Sequence, residues 1–185
     1  MNKLADRLID AGLIQFGAFA RGGEMLPVDL HLSMIGSYPD LLDELAALTA
    51  EIVRGAEASH LLSTGDAIPF GTALSLRTRI PLVYSRSGGE AAVFDLVGAY
   101  DIGHPALLIA NSVGFKASPT ALVQSARRVG LEIHTLVAIL EARAEPPPPD
   151  VDVVSLFRLR DIVGAMAASG ALPDGQARRV LGWID

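Results

Sequence analysis

The sequence contains no cysteine. This absence excludes disulfides, thiolate metal sites and cysteine nucleophiles, and it favours the cytoplasm because disulfides concentrate in secreted proteins. Lysine is nearly absent too, because only Lys3 and Lys116 are lysines among the 15 basic residues. Long apolar runs are also missing: no stretch approaches the ~18 uncharged apolar residues that span a bilayer. We therefore expect no membrane partner.

An excess of positive charge is lacking as well, since the net charge is −6. Without a basic field to attract a phosphate backbone, nucleic acid is not an expected partner. What the chain does contain is a composition typical of folded globular proteins: half of its 185 residues are hydrophobic and 19% are charged. This length predicts one domain with a large core.

Apolar segments with strand character alternate with helical segments along the chain. Strands are predicted at residues 60–63, 80–84, 106–110 and 133–140, and helices at 3–11, 39–53, 68–76, 118–130 and 174–183. Residues 13–32 are broken by glycines and predict hairpin-like strands. Ser37 is the predicted N-cap of the second helix. Near-continuous apolar strands that alternate with helices predict an α/β protein with a parallel sheet flanked by helices.

The predicted organisation has three parts. Residues 1–145 form the core, including a small N-terminal hood at 1–36, and residues 146–150 form a proline-rich linker. Residues 151–185 form a C-terminal helical appendage of the same domain. Within it Val153 and Val154 are compatible with a strand, and a helix is predicted from Leu156 to Ala168.

Ligands of open α/β sheets bind outside the carboxyl ends of the strands, so the loops that follow the strands are the candidate sites. One is the turn Ser63, Thr64, Gly65 and Asp66, whose backbone N–H groups would suit an anion. An ordinary strand-to-helix turn has the same composition, and both interpretations stay open. A second is the segment Gly114, Phe115, Lys116, Ala117 and Ser118, where a helix N-terminus and a lysine would suit a phosphate. A solvated surface lysine is equally compatible with it. A third is Arg86, at the base of a glycine-containing loop.

Spacing patterns for other chemistries are missing. The four histidines, His31, His60, His104 and His134, are scattered, so no metal site is predicted. Ser63 and Ser112 have no neighbouring base in a nucleophile pattern, so we assign no catalytic residue.

Six segments together resemble the orotate phosphoribosyltransferases, in the order and spacing of that family. They are residues 16–19, 29–32, 37–42, 67–74, 80–86 and 154–162. The resemblance implies a type I phosphoribosyltransferase fold, a parallel sheet flanked by helices with a hood from the N-terminal strands, and a homodimer. It also implies the joining of orotate to phosphoribosyl pyrophosphate, and Mg²⁺ as a cofactor only if phosphoribosyl pyrophosphate is bound.

The same resemblance exposes three departures. Ala110 and Asn111 stand where the family has a Glu-Asp pair, and residues 114–118 stand where it has a Thr-Thr-Gly-Gly-Ser-like phosphate loop. The segment after Arg86 lacks the lysines and the histidine of the family's catalytic loop. The family's base-contacting lysine is either replaced here by Arg21 or deleted, depending on where the gap before Pro27 is placed. Losing two charge-assisted hydrogen bonds would weaken ribose recognition by about 3–6 kcal/mol.

The combined prediction is an orotate phosphoribosyltransferase-like protein of weak or lost transferase activity that binds a phosphorylated small molecule or nucleotide. The candidate ligand residues are Arg21, Ser63, Thr64, Gly65, Asp66, Arg86, Asn111, Gly114, Phe115, Lys116, Ala117 and Ser118. One alternative is an active phosphoribosyltransferase with another acceptor. The other alternative is a non-enzymatic interaction module with an empty site.

Overall fold

Strands and helices alternate along the chain in the structure, a computed structural model that describes residues 3–86, 96–115, 119–143 and 148–185. The strands are β1 (Ile14–Arg21), β2 (Glu24–Leu30), β3 (His60–Ser63), β4 (Leu82–Ser85), β5 (Leu96–Val97), β6 (His104–Val113), β7 (Leu131–Glu141) and β8 (Asp152–Arg158). The α-helices are α1 (Lys3–Asp10), α2 (Pro39–Gly55), α3 (Ile68–Thr78), α4 (Thr120–Arg128), α5 (Leu159–Ala168) and α6 (Asp174–Ile184). Short 3₁₀ helices cover Leu32–Ser37 and Gly65–Ala67.

The central sheet has six strands in the order β5-β4-β3-β6-β7-β8. All neighbouring pairs run parallel except β5, which pairs antiparallel with β4 at one edge. Side chains of β6 alternate between two core clusters: Leu107 and Ile109 pack on one face of the sheet, and Leu108 and Ala110 on the other. Burial on both faces explains the continuous apolar strands, and the predicted parallel α/β fold is confirmed.

A separate two-stranded sheet forms the N-terminal hood. Strands β1 and β2 pair antiparallel, with Ile14 opposite Leu30 at one end and Arg21 opposite Glu24 at the other. The connecting residues Gly22 and Gly23 both have positive φ, at 57° and 87°, a conformation that glycine adopts without steric cost. The predicted small hood is therefore present as a hairpin.

Residues of the C-terminal segment complete the central sheet. Val154 lies opposite Val137 and Phe157 opposite Leu140, so the edge strand β8 runs to Arg158. The predicted helix start at Leu156 is wrong, because Leu156 continues this strand and α5 begins only at Leu159. The apolar spacing around Leu156 fits both structures, and pairing with β7 decides between them. The division at residues 145 and 150 stays a prediction, and residues 144–147 lie outside the described part of the chain.

The start of α2 also differs in detail from the prediction. Ser37 ends a 3₁₀ helix, and Tyr38 is the N-cap residue, without a side-chain capping bond. The Tyr38 hydroxyl instead donates to the carbonyl of Ala11 at 2.9 Å and ties this junction to the end of α1. Pro39 opens the helix, as its fixed φ favours. Across the described residues, the structure contains no helix long and apolar enough to cross a membrane.

Candidate functional site

The turn after β3 lies beside strand β6 at the carboxyl edge of the sheet. The Thr64 N–H donates to the carbonyl of Ile109 at 3.0 Å, so the hydrogen bonding between these strands continues into the turn. The Thr64 hydroxyl donates to Oδ1 of Asp66 at 2.8 Å, and the Ser63 hydroxyl donates to the carbonyl of Thr64 at 2.9 Å. The turn Ser63–Asp66 is thus held in one conformation by short polar side chains of its own.

Asn111 connects β6 to this turn. Its side-chain Nδ2 donates to the backbone carbonyl of Asp66 at 2.6 Å, and the residue is only 1% exposed. The other amide atom, Oδ1, is buried and has no hydrogen-bond partner among the described residues. A buried carbonyl oxygen without a donor costs about 1–3 kcal/mol. The site therefore holds a buried acceptor whose hydrogen-bonding capacity the described residues leave unused.

The segment after β6 leaves the sheet through Gly114, which has φ of +74°. A Cβ at this position would lie 2.2 Å from the carbonyl oxygen of Arg143, so only glycine fits. Nε of Arg143 donates to the Gly114 carbonyl at 3.1 Å, and the Ala142 N–H donates to the carbonyl of Val113 at 2.9 Å. The loops after β6 and β7 are therefore in direct contact.

Arg21, at the tip of the hood, lies near this second loop. Its guanidinium carbon is 5.8 Å from the centre of the Phe115 ring. Nη2 of Arg21 lies 2.8 and 3.0 Å from the two carboxylate oxygens of Asp29, which is 7% exposed, and Nε2 of His31 is 3.4 Å from the same carboxylate. The positive charge of Arg21 is therefore largely balanced by Asp29, which lowers its capacity to attract a ligand anion.

Two separate groups of candidate residues result at this edge. The first contains the turn Ser63–Asp66 with Asn111, and the second contains Gly114 and Phe115 with Arg21. Gly114 lies three positions after Asn111, or roughly 10 Å along a strand. Arg86 follows directly on β4 and is exposed, and it makes no described contact with either group. The candidates Lys116, Ala117 and Ser118, and the loop after Arg86, lie outside the described residues.

Two residues at the second group were missed by the sequence reasoning, Arg143 and Trp183. Arg143 follows the carboxyl end of β7, and its guanidinium carbon lies 4.5 Å from the centre of the Trp183 ring. The rule that ligands bind after strand ends would have found Arg143 had it been applied to β7. Within the described ranges, no carboxylate lies within ion-pair distance of Arg143. Trp183, on α6, has no local signal in the sequence.

Metal-ligating side chains do not converge in the described part of the chain, where no group of three or more His, Asp or Glu residues could hold an ion. His60 and His104 do approach each other, with ring centres 5.4 Å apart. They begin β3 and β6, however, and so lie at the amino edge of the sheet, opposite the candidate site.

No family model matches the sequence. Several solved structures match the fold. UMP synthase of Leishmania donovani superposes with a TM-score of 0.81 at 20% identity over 98% of this chain, which spans 41% of that longer chain. Orotate phosphoribosyltransferase of Francisella tularensis gives a TM-score of 0.71 at 15% identity, covering 98% of this chain and 96% of that one. Adenine phosphoribosyltransferase of Leishmania donovani gives 0.59 at 16% identity, covering 94% and 83%.

These similarities match the architecture described above. The matched part of this chain contains the mainly parallel six-stranded sheet, the helices that flank it and the small N-terminal hairpin. They cover nearly the whole chain and include the hood as well as the C-terminal strand and helices. The protein thus has the fold of the type I phosphoribosyltransferases.

Proposed function

We propose that this protein binds a phosphate-bearing small molecule or nucleotide at the carboxyl edge of its sheet and has weak or no transferase activity. The observation that carries the proposal is the identity of residues 110 and 111, which are Ala110 and Asn111. At the two positions where the resemblance calls for carboxylates, the chain has a buried methyl group and a buried amide. The amide cannot supply the negative charge that a metal-bound or cationic sugar would require.

Ligand binding is supported by the unpartnered Oδ1 of Asn111. Because Nδ2 is engaged with the Asp66 carbonyl, Asn111 offers an acceptor to the ligand and needs a donor from it. A sugar hydroxyl or a base N–H is such a donor. The Asp66 carboxylate receives the Thr64 hydroxyl nearby, and it is a second acceptor for the same kind of group.

Phosphate binding is supported by the second group of residues. Gly114 lets the backbone turn sharply, and Arg143 contributes a cation that no described carboxylate neutralises. From the sequence we expect Lys116 and Ser118 to add an ammonium and a hydroxyl at the start of the following helix, where helix N–H groups favour anions. Arg86 adds positive charge at the rim, and Arg21 adds less because Asp29 largely balances its charge.

Calorimetry tests this proposal. The probes are inorganic phosphate, nucleoside monophosphates, orotate, and phosphoribosyl pyrophosphate with Mg²⁺. We expect a monophosphate to bind without Mg²⁺, and Lys116→Ala to weaken it at least about tenfold, which is ~1.4 kcal/mol. Lys3→Ala is the matched control, because it removes the other lysine, on α1, and is expected to leave the affinity unchanged.

Two results would overturn the proposal. Tight Mg²⁺-dependent binding of phosphoribosyl pyrophosphate with turnover would establish an active transferase with another acceptor. No binding of any probe would favour an interaction module. We also propose that the protein is a homodimer, as the resemblance implies, and that it is cytoplasmic, as the absence of cysteine favours. Sedimentation equilibrium at micromolar concentration tests the dimer, and a monomer mass would contradict it.

A further inference from the structure

Four side chains from distant parts of the chain form one stack beside the loop after β6. The Phe115 and Trp183 rings meet edge to face, with centres 6.1 Å apart and planes at 71°. The guanidinium carbon of Arg143 lies 4.5 Å from the Trp183 ring centre, and that of Arg21 lies 5.8 Å from the Phe115 ring centre. The stack therefore joins the hood, the loops after β6 and β7, and the C-terminal helix α6.

Arg143 couples the stack to the backbone of the loop. Its Nε donates to the Gly114 carbonyl at 3.1 Å while its guanidinium lies over Trp183. Any Cβ at Gly114 would collide with the Arg143 backbone, so the two segments touch without space between them. A displacement of Trp183 would therefore remove support from both the Arg143 side chain and the Gly114 peptide.

Phe115 is an unusual residue for this place. The segment that it belongs to stands where the resembling family has small hydroxyl residues and glycines, which need no anchor in the interior. Here a large ring packs against the main hydrophobic core together with Trp183. Trp183 is the only tryptophan of the chain. The loop is thus fastened to the core through the side chain of Phe115.

The contacts that fasten the Gly114–Phe115 loop affect its affinity for a ligand. A loop that is already ordered loses less conformational entropy when a ligand binds to it, and it presents its N–H groups in a fixed direction. One of the contacts that order this loop, the Trp183 ring against Phe115, comes from α6, which itself contributes none of the candidate ligand residues. The helix can therefore change the binding of a ligand that it does not touch.

We propose that Trp183 and Arg143 are positioning residues that hold Gly114 and Phe115 in place, so that helix α6 controls the affinity of the candidate site for phosphate-bearing ligands. The affinity part rests on the function proposed above, whereas the positioning part does not. Trp183 is assigned no ligand contact, and the positioning role of Arg143 is separate from the positive charge that it contributes to the proposed function. Each acts on the loop through ring, guanidinium and hydrogen-bond contacts.

Hydrogen exchange of the full chain tests positioning without any ligand. In Trp183→Ala we expect peptides containing Gly114 and Phe115 to exchange at least about tenfold faster, or ~1.4 kcal/mol in local opening. Trp183→Phe keeps a ring for Arg143 and Phe115, and we expect it to restore most of the protection. Val180→Ala is the control, because it removes fully buried packing from the same helix. Exchange at Gly114 and Phe115 that is unchanged in Trp183→Ala, or raised equally in Val180→Ala, overturns the proposal.

Calorimetry with inorganic phosphate and a nucleoside monophosphate then tests control of affinity. We expect Kd to rise at least about fivefold in Trp183→Ala and to stay near the wild-type value in Trp183→Phe and Val180→Ala. Faster exchange with an unchanged Kd overturns the control of affinity. If the wild-type protein binds neither probe, the proposed function fails, and the exchange result by itself still decides whether Trp183 positions the loop.

Discussion

Two loops at the same edge of the sheet are held in place in opposite ways. The turn Ser63–Asp66 is fixed by its own hydroxyl groups and by the neighbouring strand β6. The loop Gly114–Phe115 is fixed by Arg143 and by rings and guanidinium groups from α6 and the hood. The first conformation therefore depends on the turn itself and on β6, whereas the second also depends on the hood and on the C-terminal helix α6. Substitutions in the hood or in α6 should alter the second loop and leave the first intact.

The largest effect is expected at the loop. Gly114→Ala adds a methyl group 2.2 Å from the Arg143 carbonyl oxygen at a positive φ, and we expect it to lower the free energy of unfolding by about 3 kcal/mol. Gly22→Ala is the matched control, because Gly22 has φ of +57° and open space around it. It should cost about 1 kcal/mol from backbone strain alone. Urea denaturation measures both, and equal losses would show that contact with Arg143 does not constrain the loop.

A substitution at Asn111 tests how much β6 contributes to the turn Ser63–Asp66. The Asn111 side chain makes the one long-range side-chain contact to the turn that is described above. Asn111→Asp replaces the donor to the Asp66 carbonyl with an acceptor of the same shape, and we expect a loss of about 2 kcal/mol at neutral pH. Gln124→Glu makes the same chemical change at an exposed position of α4 and should stay within about 0.5 kcal/mol of wild type. A loss of stability no larger than that of Gln124→Glu would show that the Asn111 side chain does not stabilise the turn.

The difference between the loops also explains which parts of the site the sequence predicted. The turn after β3 could be located because a short apolar strand, small polar residues and a helix follow one another within 20 residues. The sheet and the hood could be predicted for the same reason, from the periodicity of neighbouring residues. The roles of Arg143 and Trp183 could not, since they arise from contacts to residues 29 and 68 positions earlier in the chain, namely Gly114 and Phe115.

The prediction of where α5 starts failed for a related reason. Residues from Leu156 to Arg158 satisfy a helical apolar spacing, but β7 offers an unpaired edge to which they bind as a strand. Pairing energy of that kind depends on the register of two segments and not on either sequence alone. The same holds for Arg21, whose charge looked available in the sequence and is paired with Asp29 once the hairpin forms.

A smaller effect is expected inside the turn. Thr64→Val removes the hydroxyl that donates to Asp66 and keeps the size of the side chain, and we expect a loss of about 1 kcal/mol. Thr64→Ser keeps the hydroxyl and should retain most of the stability. Hydrogen exchange of both variants sharpens the contrast, because protection of Gly114 and Phe115 should not change. Faster exchange at those residues in Thr64→Val would show that the two loops are coupled.

The smallest effect belongs to an exposed ion pair outside both loops, between Asp43 on α2 and Arg77 on α3. The hydrogen bond from Arg77 lowers the pKa of the Asp43 carboxyl below its ordinary value of 3.8. A carboxyl with a lowered pKa in the folded state stabilises the protein above its unfolded pKa, and this contribution disappears as the pH falls through the folded pKa. Asp43→Asn should therefore lower Tm slightly at neutral pH and not at all at about pH 2, which calorimetric melting at several pH values measures. Because both side chains of the pair are exposed to solvent, a Tm decrease as large as that of Thr64→Val would contradict the expected order, in which contacts to the two loops outweigh surface charge.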